Sequence, residues 1–237
     1  MNKKDYYSIL KNVQKLIQEG HTNFLDPASL KKVKSKIKGL KYNELYPYSE
    51  SEKIILYRNK KPKIRFIEII CKEKLTHSQI LGSLYATKID MQLIGDIIIY
   101  NNHYYIIIMN KAYKIILNEL TMVGKNSISL KEVGNRVLTG YTREYETKEI
   151  IISSFRIDNV ISKLLGLSRD KVKYKLSNGE IILNYEICNK ENHLLKTNDI
   201  FSIRKHGKYK FGDILGHTKR DNYIVRIYKY IDENKNT

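Results

Sequence analysis

The sequence contains no tryptophan, three prolines and two cysteines among its 237 residues. Cys71 and Cys188 lie far apart and form neither a CxxC pair nor a zinc-ligand spacing, so we predict reduced cysteines in apolar strands. The six histidines are scattered, and no HExxH motif, glycine-rich phosphate loop or nucleophile elbow occurs. The sequence therefore predicts no metal, no cofactor and no catalytic residue.

Long hydrophobic runs are also missing. The first residues, MNKKDYYSILKNVQKLIQEG, carry positive charge but lack the apolar segment of a signal peptide. No stretch approaches the roughly eighteen uninterrupted apolar residues of a membrane-spanning helix. We therefore expect a soluble, cytoplasmic protein with no membrane partner.

Acidic residues are few compared with basic ones. Lysine and arginine total 43 and aspartate and glutamate 25, so the formal net charge is +18. A charge of this size favours a polyanionic partner such as nucleic acid, because the partner would offset the self-repulsion of the protein. The alternative is a lysine-rich composition without a ligand. With 42% hydrophobic residues, the chain has enough apolar material to fold into globular domains.

Residues 1–62 predict a small N-terminal α/β unit. Apolar residues recur at helical spacing from Ile9 to Ile17, and Asp26 followed by Pro27 is typical of a second helix start. The second helix carries a dense lysine run, which is either a solvated face or a surface that faces RNA. The segment KIILYR predicts a short strand.

Residues 63–137 predict a middle domain with the element order βαββαβ, in which KAYKIILNELTMV is the second helix. This is the ferredoxin-like (RRM-like) arrangement that many RNA-binding modules share, although a fold alone does not establish function. Tyr104 and Tyr105 alternate in a strand, so we expect one in the core and the other able to stack on a base. The polar segment 138–150 is predicted to be a linker.

Residues 151–237 begin with an apolar helix and continue with LSRDKVKYKLSNGEIILNYE. Ser168 is the predicted N-cap of a second helix, in which Val172 and Leu176 point inward. Gly179 is predicted to end this helix in the left-handed conformation. The short strand EIILN, a turn at Asn184-Tyr185 and the return strand NDIFSIR follow. The overall prediction is an α+β protein.

Basic residues are concentrated on this second helix and in the tail. Arg169 and Lys173 are four residues apart and share a face, and Lys171 and Lys175 flank them. Like charges at this spacing repel each other, and a bound phosphate backbone would reverse that cost. The tail, IRKHGKYKFGDILGHTKRDNYIVRIYKY, places further lysines and arginines in predicted loops around glycines, where the backbone can approach phosphate. The alternative for these tail residues is solubilising hairpin tips.

Three segments, FRIDNVI, LSRDKVKYKLSNGEIILN and NDIFSIR, resemble the alpha-L RNA-binding motif, which is named after ribosomal protein S-four. Together with HTNFLDP, LGSLYATKIDMQLIGDIII and the basic tail, they make the chain similar to the YlmH family over nearly its whole length. Two departures stand out. Asn198 replaces the usual glycine before the aspartate, and DMQ at 90–92 replaces a basic triplet.

The resemblance implies an N-terminal α/β unit, an RRM-like middle domain and a C-terminal alpha-L domain at 151–237. It implies a monomeric, non-enzymatic protein that binds ribosomal RNA and tRNA on the large ribosomal subunit carrying peptidyl-tRNA, in ribosome-associated quality control. The residues predicted to contact RNA are Arg156, Ser168, Arg169, Lys171, Lys173, Lys175, Asn184, Arg204, Lys205, Lys208, Lys210, Lys219 and Arg220.

Two other function classes stay open. The first is an RNA-modifying enzyme that docks through its alpha-L domain, because FRID is similar to the Arg-Leu-Asp catalytic motif of pseudouridine synthases. In the alpha-L signature, however, the corresponding Asp158 has a structural role. The second alternative is a division-associated interaction factor with incidental basic charge.

Overall fold

The computed structural model describes residues 3–231, which form two compact units, residues 3–142 and residues 143–231. Helices make up 30% of the chain and strands 34%, which confirms the α+β class. In the described part of the chain, no helix is long and apolar enough to cross a membrane.

The first unit opens with a small α/β layer. Its elements are α1 (Lys3–Gln18), α2 (Pro27–Lys36), β1 (Asn43–Leu45) and β2 (Ile55–Tyr57), with β1 and β2 antiparallel. As predicted, Asp26 caps α2, and its carboxylate accepts a hydrogen bond of 2.8 Å from the Ser29 amide. The apolar stripes of both helices pack with Ile54 and Leu56 in one buried cluster.

A four-stranded sheet with two helices completes the first unit. Its elements are β3 (Ile64–Ile70), α3 (His77–Ala86), β4 (Ile94–Tyr100), β5 (His103–Met109), α4 (Tyr113–Glu119), the short strands β6 (Met122–Val123) and β7 (Asn126–Ser127), and β8 (Ser129–Val133). The sheet order is β4-β5-β3-β8 and all pairs are antiparallel. The helix predicted over KAYKIILNELTMV was too long: α4 ends at Glu119, and a hairpin turns at Gly124, whose φ of +61° is left-handed.

Both faces of this sheet contribute to buried clusters. One face packs against α3 and α4 in a cluster that includes Tyr104. The other face, with Phe66, Tyr105 and Ile107, packs against residues of the α/β layer such as Phe24. Tyr104 and Tyr105 are only 4% and 6% exposed, so the prediction that one of them could stack on a base was wrong. The alternation along the strand was correct, but the α/β layer covers the face that sequence reasoning left open.

The second unit contains a six-stranded antiparallel sheet and two helices. Its elements are β9 (Tyr145–Ile152), α5 (Ile157–Leu165), α6 (Arg169–Ser177), β10 (Ile181–Leu183), β11 (Glu186–Ile187), β12 (Ile200–Ile203), β13 (Gly207–His217) and β14 (Tyr223–Tyr230). The sheet order is β11-β10-β12-β13-β14-β9. Residues 145–150 are therefore not a linker, because they form most of β9 and pair with residues 225–230 of β14.

The basic tail is also more regular than predicted. Most of the tail forms a hairpin of two long antiparallel strands, residues 207–217 and 223–230. The sequence predicts that its basic residues lie in glycine-rich loops, but Lys208 and Lys210 lie in the first strand. Both helices of the unit pack on one face of the sheet, in a core that includes Val160, Leu176 and Phe211. The side chains that alternate with the sheet's core residues lie on the opposite face.

Candidate nucleic-acid interface

An ion pair fixes the start of α5. Arg156 Nε and Nη2 donate to the two carboxylate oxygens of Asp158, each at 3.0 Å. The Asp158 carboxylate also accepts a hydrogen bond of 2.9 Å from the Asn159 amide. The loop before β12 is attached to the same place, because the Ile157 amide donates to the His193 carbonyl at 2.8 Å. The FRIDN segment therefore holds the start of α5 and this loop together.

Asp158 is 1% exposed. Burial alone would raise the pKa of its carboxyl, but the hydrogen bonds from Arg156 and Asn159 and the charge of Arg169 outweigh burial, so the pKa is lowered. The carboxylate is thus ionised, buried and occupied by its neighbours. This arrangement agrees with a structural role for Asp158 and leaves its oxygens unavailable to an external nucleotide.

The side chain of Arg169, at the start of α6, reaches the first turn of α5. Arg169 Nη2 donates to Asn159 Oδ1 at 3.4 Å, and Asn159 Nδ2 donates to the Ser154 carbonyl at 2.8 Å. Ser168 is the N-cap of α6, as predicted, and its hydroxyl accepts from the Lys171 amide at 3.4 Å. Ser168 is exposed beside Arg169, so a phosphate could reach both residues. The N-terminal end of α6 also favours an anion through its free amides.

The basic residues of α6 lie on two flanks, not on one face. Arg169 and Lys173 lie on the flank nearest α5, where Lys173 Nζ is 3.2 Å from a carboxylate oxygen of Glu191. Arg156 Nη2 is 4.0 Å from Glu191 on the same flank. Lys171 and Lys175 lie on the other side of the buried stripe formed by Val172 and Leu176, which are 0% and 1% exposed. We call Arg156, Arg169 and Lys173 the α5 flank.

The other flank borders a groove of about 430 Å³ between α6 and the β12–β13 turn. Its lining residues are Leu167, Asp170, Lys171, Tyr174, Lys175, Glu180 and His206. Lys175 donates to Glu180 at 2.8 Å, which together with the charges of Arg204 and Lys205 lowers the pKa of the Glu180 carboxyl. Tyr174 is 67% exposed at the groove. The structure thus brings four predicted residues, Lys171, Lys175, Arg204 and Lys205, to this second flank.

Asn184 is used by the fold itself. Its amide nitrogen donates to Asp199 Oδ1 at 2.8 Å, and its amide oxygen accepts from the Ile200 amide at 2.9 Å. Asn184 and Tyr185 both have positive φ, in the turn that sequence predicted. Asn198 has a φ of +74°, in the left-handed region that glycine and asparagine adopt more readily than other residues. A role for Asn184 in contacting RNA stays a prediction.

The remaining predicted residues lie apart from both flanks. Lys208 and Lys210 are on strand β13 and point to the sheet face opposite the helices, because Tyr209 and Phe211, which alternate with them along the strand, are in the core. Lys219 and Arg220 are exposed at the tip of the β13–β14 hairpin. Sequence reasoning missed the tyrosines that accompany Lys208 and Lys210. The period-2 alternation of IVRIYKY, with Arg226, Tyr228 and Tyr230 on one face, could have identified them.

In the first unit, the segments that carry the family resemblance mostly form hydrogen bonds and ion pairs with other residues of the same unit. Asp90 pairs with Lys11 of α1 at 2.8 Å, and Gln92 is hydrogen-bonded to Asn12 at 3.0 Å. Asp96 Oδ2 accepts from the Tyr48 hydroxyl at 2.9 Å and from the Glu52 amide at 3.0 Å. DMQ and the Gly-Asp element therefore attach the α/β layer to the sheet. Among the side chains described, no group of three or more His, Cys, Asp or Glu residues is placed to hold a metal ion.

Comparison with known proteins gives three similarities. Residues 59–136 match the family model described as "Putative RNA-binding domain in YlmH". The chain is similar to YlmH proteins in this domain. It is also 26% identical over 149 residues to "Ribosome-associated protein quality control protein P2" of Bacillus subtilis (strain 168). That alignment covers 63% of the chain and 58% of the relative's length.

The solved structure "Cell division protein ylmH from Streptococcus pneumoniae" aligns with a TM-score of 0.44 and 23% identity, over 59% of this chain and 95% of that one. The YlmH-type match at 59–136 spans β3 to β8, the sheet whose two faces both contribute to buried clusters. An RRM-like sheet usually binds RNA by stacking bases on its open face. In this chain Tyr104 and Tyr105 of this sheet are buried, so their rings are not available for such stacking.

Proposed function

We propose that the chain is a non-enzymatic, cytoplasmic RNA-binding protein that associates with the large ribosomal subunit in ribosome-associated quality control. In this proposal the first unit contains an RRM-like domain, and the second is an alpha-L domain that contacts ribosomal RNA and tRNA through the two flanks of α6. The protein acts as a monomer, without metal or cofactor. The YlmH-type match and the name of the Bacillus relative support the RNA-binding and quality-control assignments.

The observation that carries the proposal is the α5 flank. Arg169 and Lys173 project from a helix whose neighbouring stripe, Val172 and Leu176, is buried, so their charges are presented at a defined place in the fold. Lys173 is half exposed and its partner Glu191 is 43% exposed. An exposed pair of this kind contributes about 0–1 kcal/mol, so a phosphate can replace Glu191 at little cost. Two hydrogen bonds from Arg156 to the buried Asp158 carboxylate keep the third member of the flank in position.

The test is the double variant Arg169→Ala/Lys173→Ala. Alanine is a good helix former and neither side chain fills the core, so the fold should be retained. If each side chain contacts one phosphate, the double variant should lower the slope of log affinity against log salt by about two units. It should also reduce co-sedimentation with large ribosomal subunits through a sucrose gradient, with circular dichroism to verify the fold.

A charge-matched control is Lys163→Ala/Lys196→Ala, which removes two exposed lysines of the same unit for which no RNA contact is predicted. The control should sediment with large subunits as the wild type does. Wild-type association of the folded Arg169→Ala/Lys173→Ala variant would mean that the α5 flank is only a solvated charged surface. No association of the wild-type protein with ribosomal particles, or a flat salt dependence, would overturn the proposed function itself.

A further inference from the structure

The groove on the second flank of α6 is built from two separate elements of the second unit. Helix α6 lines it with Asp170, Lys171 and Tyr174, and the β12–β13 turn lines it with His206. We call it the α6 groove. Its volume of about 430 Å³ lies within the range of about 300–1,000 Å³ that is typical of small-molecule sites. The α6 groove is therefore large enough for one nucleobase with its ribose.

Hydrogen bonds hold the two walls of the α6 groove together. The Glu180 amide donates to the Lys175 carbonyl and the Arg204 amide donates to the Glu180 carbonyl, each at 2.9 Å. The end of α6 is thereby joined to the β12–β13 turn. The hydroxyl of Tyr209, a core residue, donates to the His206 carbonyl at 2.8 Å and fixes the turn from below. Because the fold itself fixes both walls, a ligand does not have to order them.

Two side chains of the types that stack on nucleobases line the α6 groove. Tyr174 is 67% exposed on the helix wall, and His206 is half-buried on the turn wall. Proteins bind unpaired RNA bases by stacking them on aromatic side chains, tyrosine and histidine among them. A base inside a duplex is already stacked on its neighbours. The two rings therefore favour a base that has left the stack.

The charges around the α6 groove favour an anionic ligand. The cations are Lys171, Lys175, Arg204 and Lys205, and the carboxylates are Asp170 and Glu180. Lys175 and Glu180 pair with each other at 2.8 Å. The other three cations outnumber the remaining carboxylate, and they lie on both walls. The two phosphates that flank a bound base can therefore each meet a cation.

Asp170 gives the α6 groove a preference among bases. Asp170 and Tyr174 are four residues apart on α6, so their side chains are neighbours on the helix surface. A base that stacks on Tyr174 therefore has one edge near the Asp170 carboxylate. A carboxylate only accepts hydrogen bonds. Guanine presents two adjacent donors, N1–H and the N2 amino group, on its Watson–Crick edge, whereas each other base presents one donor group there. The carboxylate therefore favours guanine.

We propose that the α6 groove binds one unpaired guanosine of the RNA. Its base stacks on Tyr174 and donates to Asp170, and the flanking phosphates contact Lys171 and the turn that carries Arg204 and Lys205. The inference rests on the proposed RNA-binding function and adds the kind of nucleotide that is recognised. The second unit then combines a backbone contact at the α5 flank, which does not depend on sequence, with a base-selective contact at the α6 groove.

The test measures binding of the full chain to two fluorescent ten-nucleotide RNAs, an oligouridine and the same RNA with one central guanosine. The wild type should bind the guanosine RNA at least about fivefold more tightly, the lower end of the discrimination that a bidentate contact gives. Inosine lacks the N2 amino group, so an inosine RNA should lose most of this preference. Asp170→Ala should also abolish the preference, and it should not weaken oligouridine binding, because it removes a negative charge.

The ring is tested separately. Tyr174→Leu should weaken binding of the guanosine RNA at least about fivefold, whereas Tyr174→Phe keeps the ring and should bind as the wild type does. The matched control is Tyr7→Leu in α1, because Tyr7 is 68% exposed, and this variant should have no effect. Circular dichroism verifies each fold. If a variant unfolds, the inosine RNA decides the question, since it leaves the protein unchanged.

Equal affinity of the wild type for both RNAs, or no measurable binding of either, would overturn the inference. Wild-type affinity and preference in the folded Tyr174→Leu and Asp170→Ala variants would also overturn it. Free GMP that displaces the guanosine RNA as effectively as unlabelled guanosine RNA would do the same, because the ligand would then be a free nucleotide. If Arg169→Ala/Lys173→Ala still reduces ribosome association in these cases, the proposed function stands without the guanosine site.

Discussion

Replacing Asp158 with asparagine tests the ion pair that holds the start of α5. Asparagine has nearly the same shape but puts an NH₂ group where one carboxylate oxygen now accepts from Arg156 at 3.0 Å. The variant loses a charge-assisted hydrogen bond, which is worth about 1.5–3 kcal/mol. Removing one partner of a fully buried pair costs about 3–5 kcal/mol, but Arg156 is 39% exposed and water can solvate it. We therefore expect the free energy of unfolding to fall by about 1–3 kcal/mol.

Urea unfolding of Asp158→Asn, followed by far-ultraviolet circular dichroism at pH 7, measures this loss. The midpoint should fall by roughly 1 M, with an unchanged slope, for a typical slope of 1–3 kcal/mol/M. The difference also depends on pH. Because the folded pKa of Asp158 is lowered, its stabilisation is complete above the unfolded pKa of about 4 and is lost as the pH falls through the lowered folded pKa. The wild type and Asp158→Asn should therefore differ less at pH 2–3 than at pH 7.

The matched control is Asp213→Asn, which changes an exposed aspartate in β13 of the same unit. It should change the free energy of unfolding by less than about 0.5 kcal/mol. An Asp158→Asn protein as stable as the wild type at pH 7 would refute the structural role assigned to the pair. A difference that persists undiminished to pH 2 would refute the electrostatic explanation. A site-specific RNA modification lost in the folded variant, with RNA binding retained, would contradict the non-enzymatic proposal.

Two further substitutions, one in each unit, test how the core is packed. Leu176→Ala should lower the free energy of unfolding of the second unit by about 2–5 kcal/mol, because Leu176 is 1% exposed in its core. Urea unfolding measures this loss, and a loss below about 1 kcal/mol would contradict the observed packing of α6. Gly95→Ala would put a Cβ 3.0 Å from the Phe24 ring and 3.2 Å from the Ile107 carbonyl, so hydrogen exchange should accelerate where the α/β layer meets β4. Exchange unchanged from the wild type would show that the layer adapts freely to the sheet.

Features that depend on a few neighbouring residues could be predicted from the sequence. Ser168 caps α6, Asp26 caps α2, and Gly179 is left-handed with a φ of +67°, all as expected. A cap needs only a side chain within three residues of the amide that it accepts from, so its signal is local. The inward positions Val172 and Leu176 follow from helical periodicity in the same way.

Features that join distant segments were decided by the tertiary structure. Periodicity showed that Tyr104 and Tyr105 face opposite ways, but only the packing of Phe24 and its neighbours on the sheet shows that both are buried. The sequence likewise placed Arg169 and Lys173 on one face, while Glu191, eighteen or more positions away, enters that face through the folded loop. Tyr145 likewise contacts Tyr228 and Tyr230 only because β9 pairs with β14, which is more than seventy residues later in the chain. A sequence specifies which side of an element is apolar, but which element covers that side depends on contacts between residues far apart in the chain.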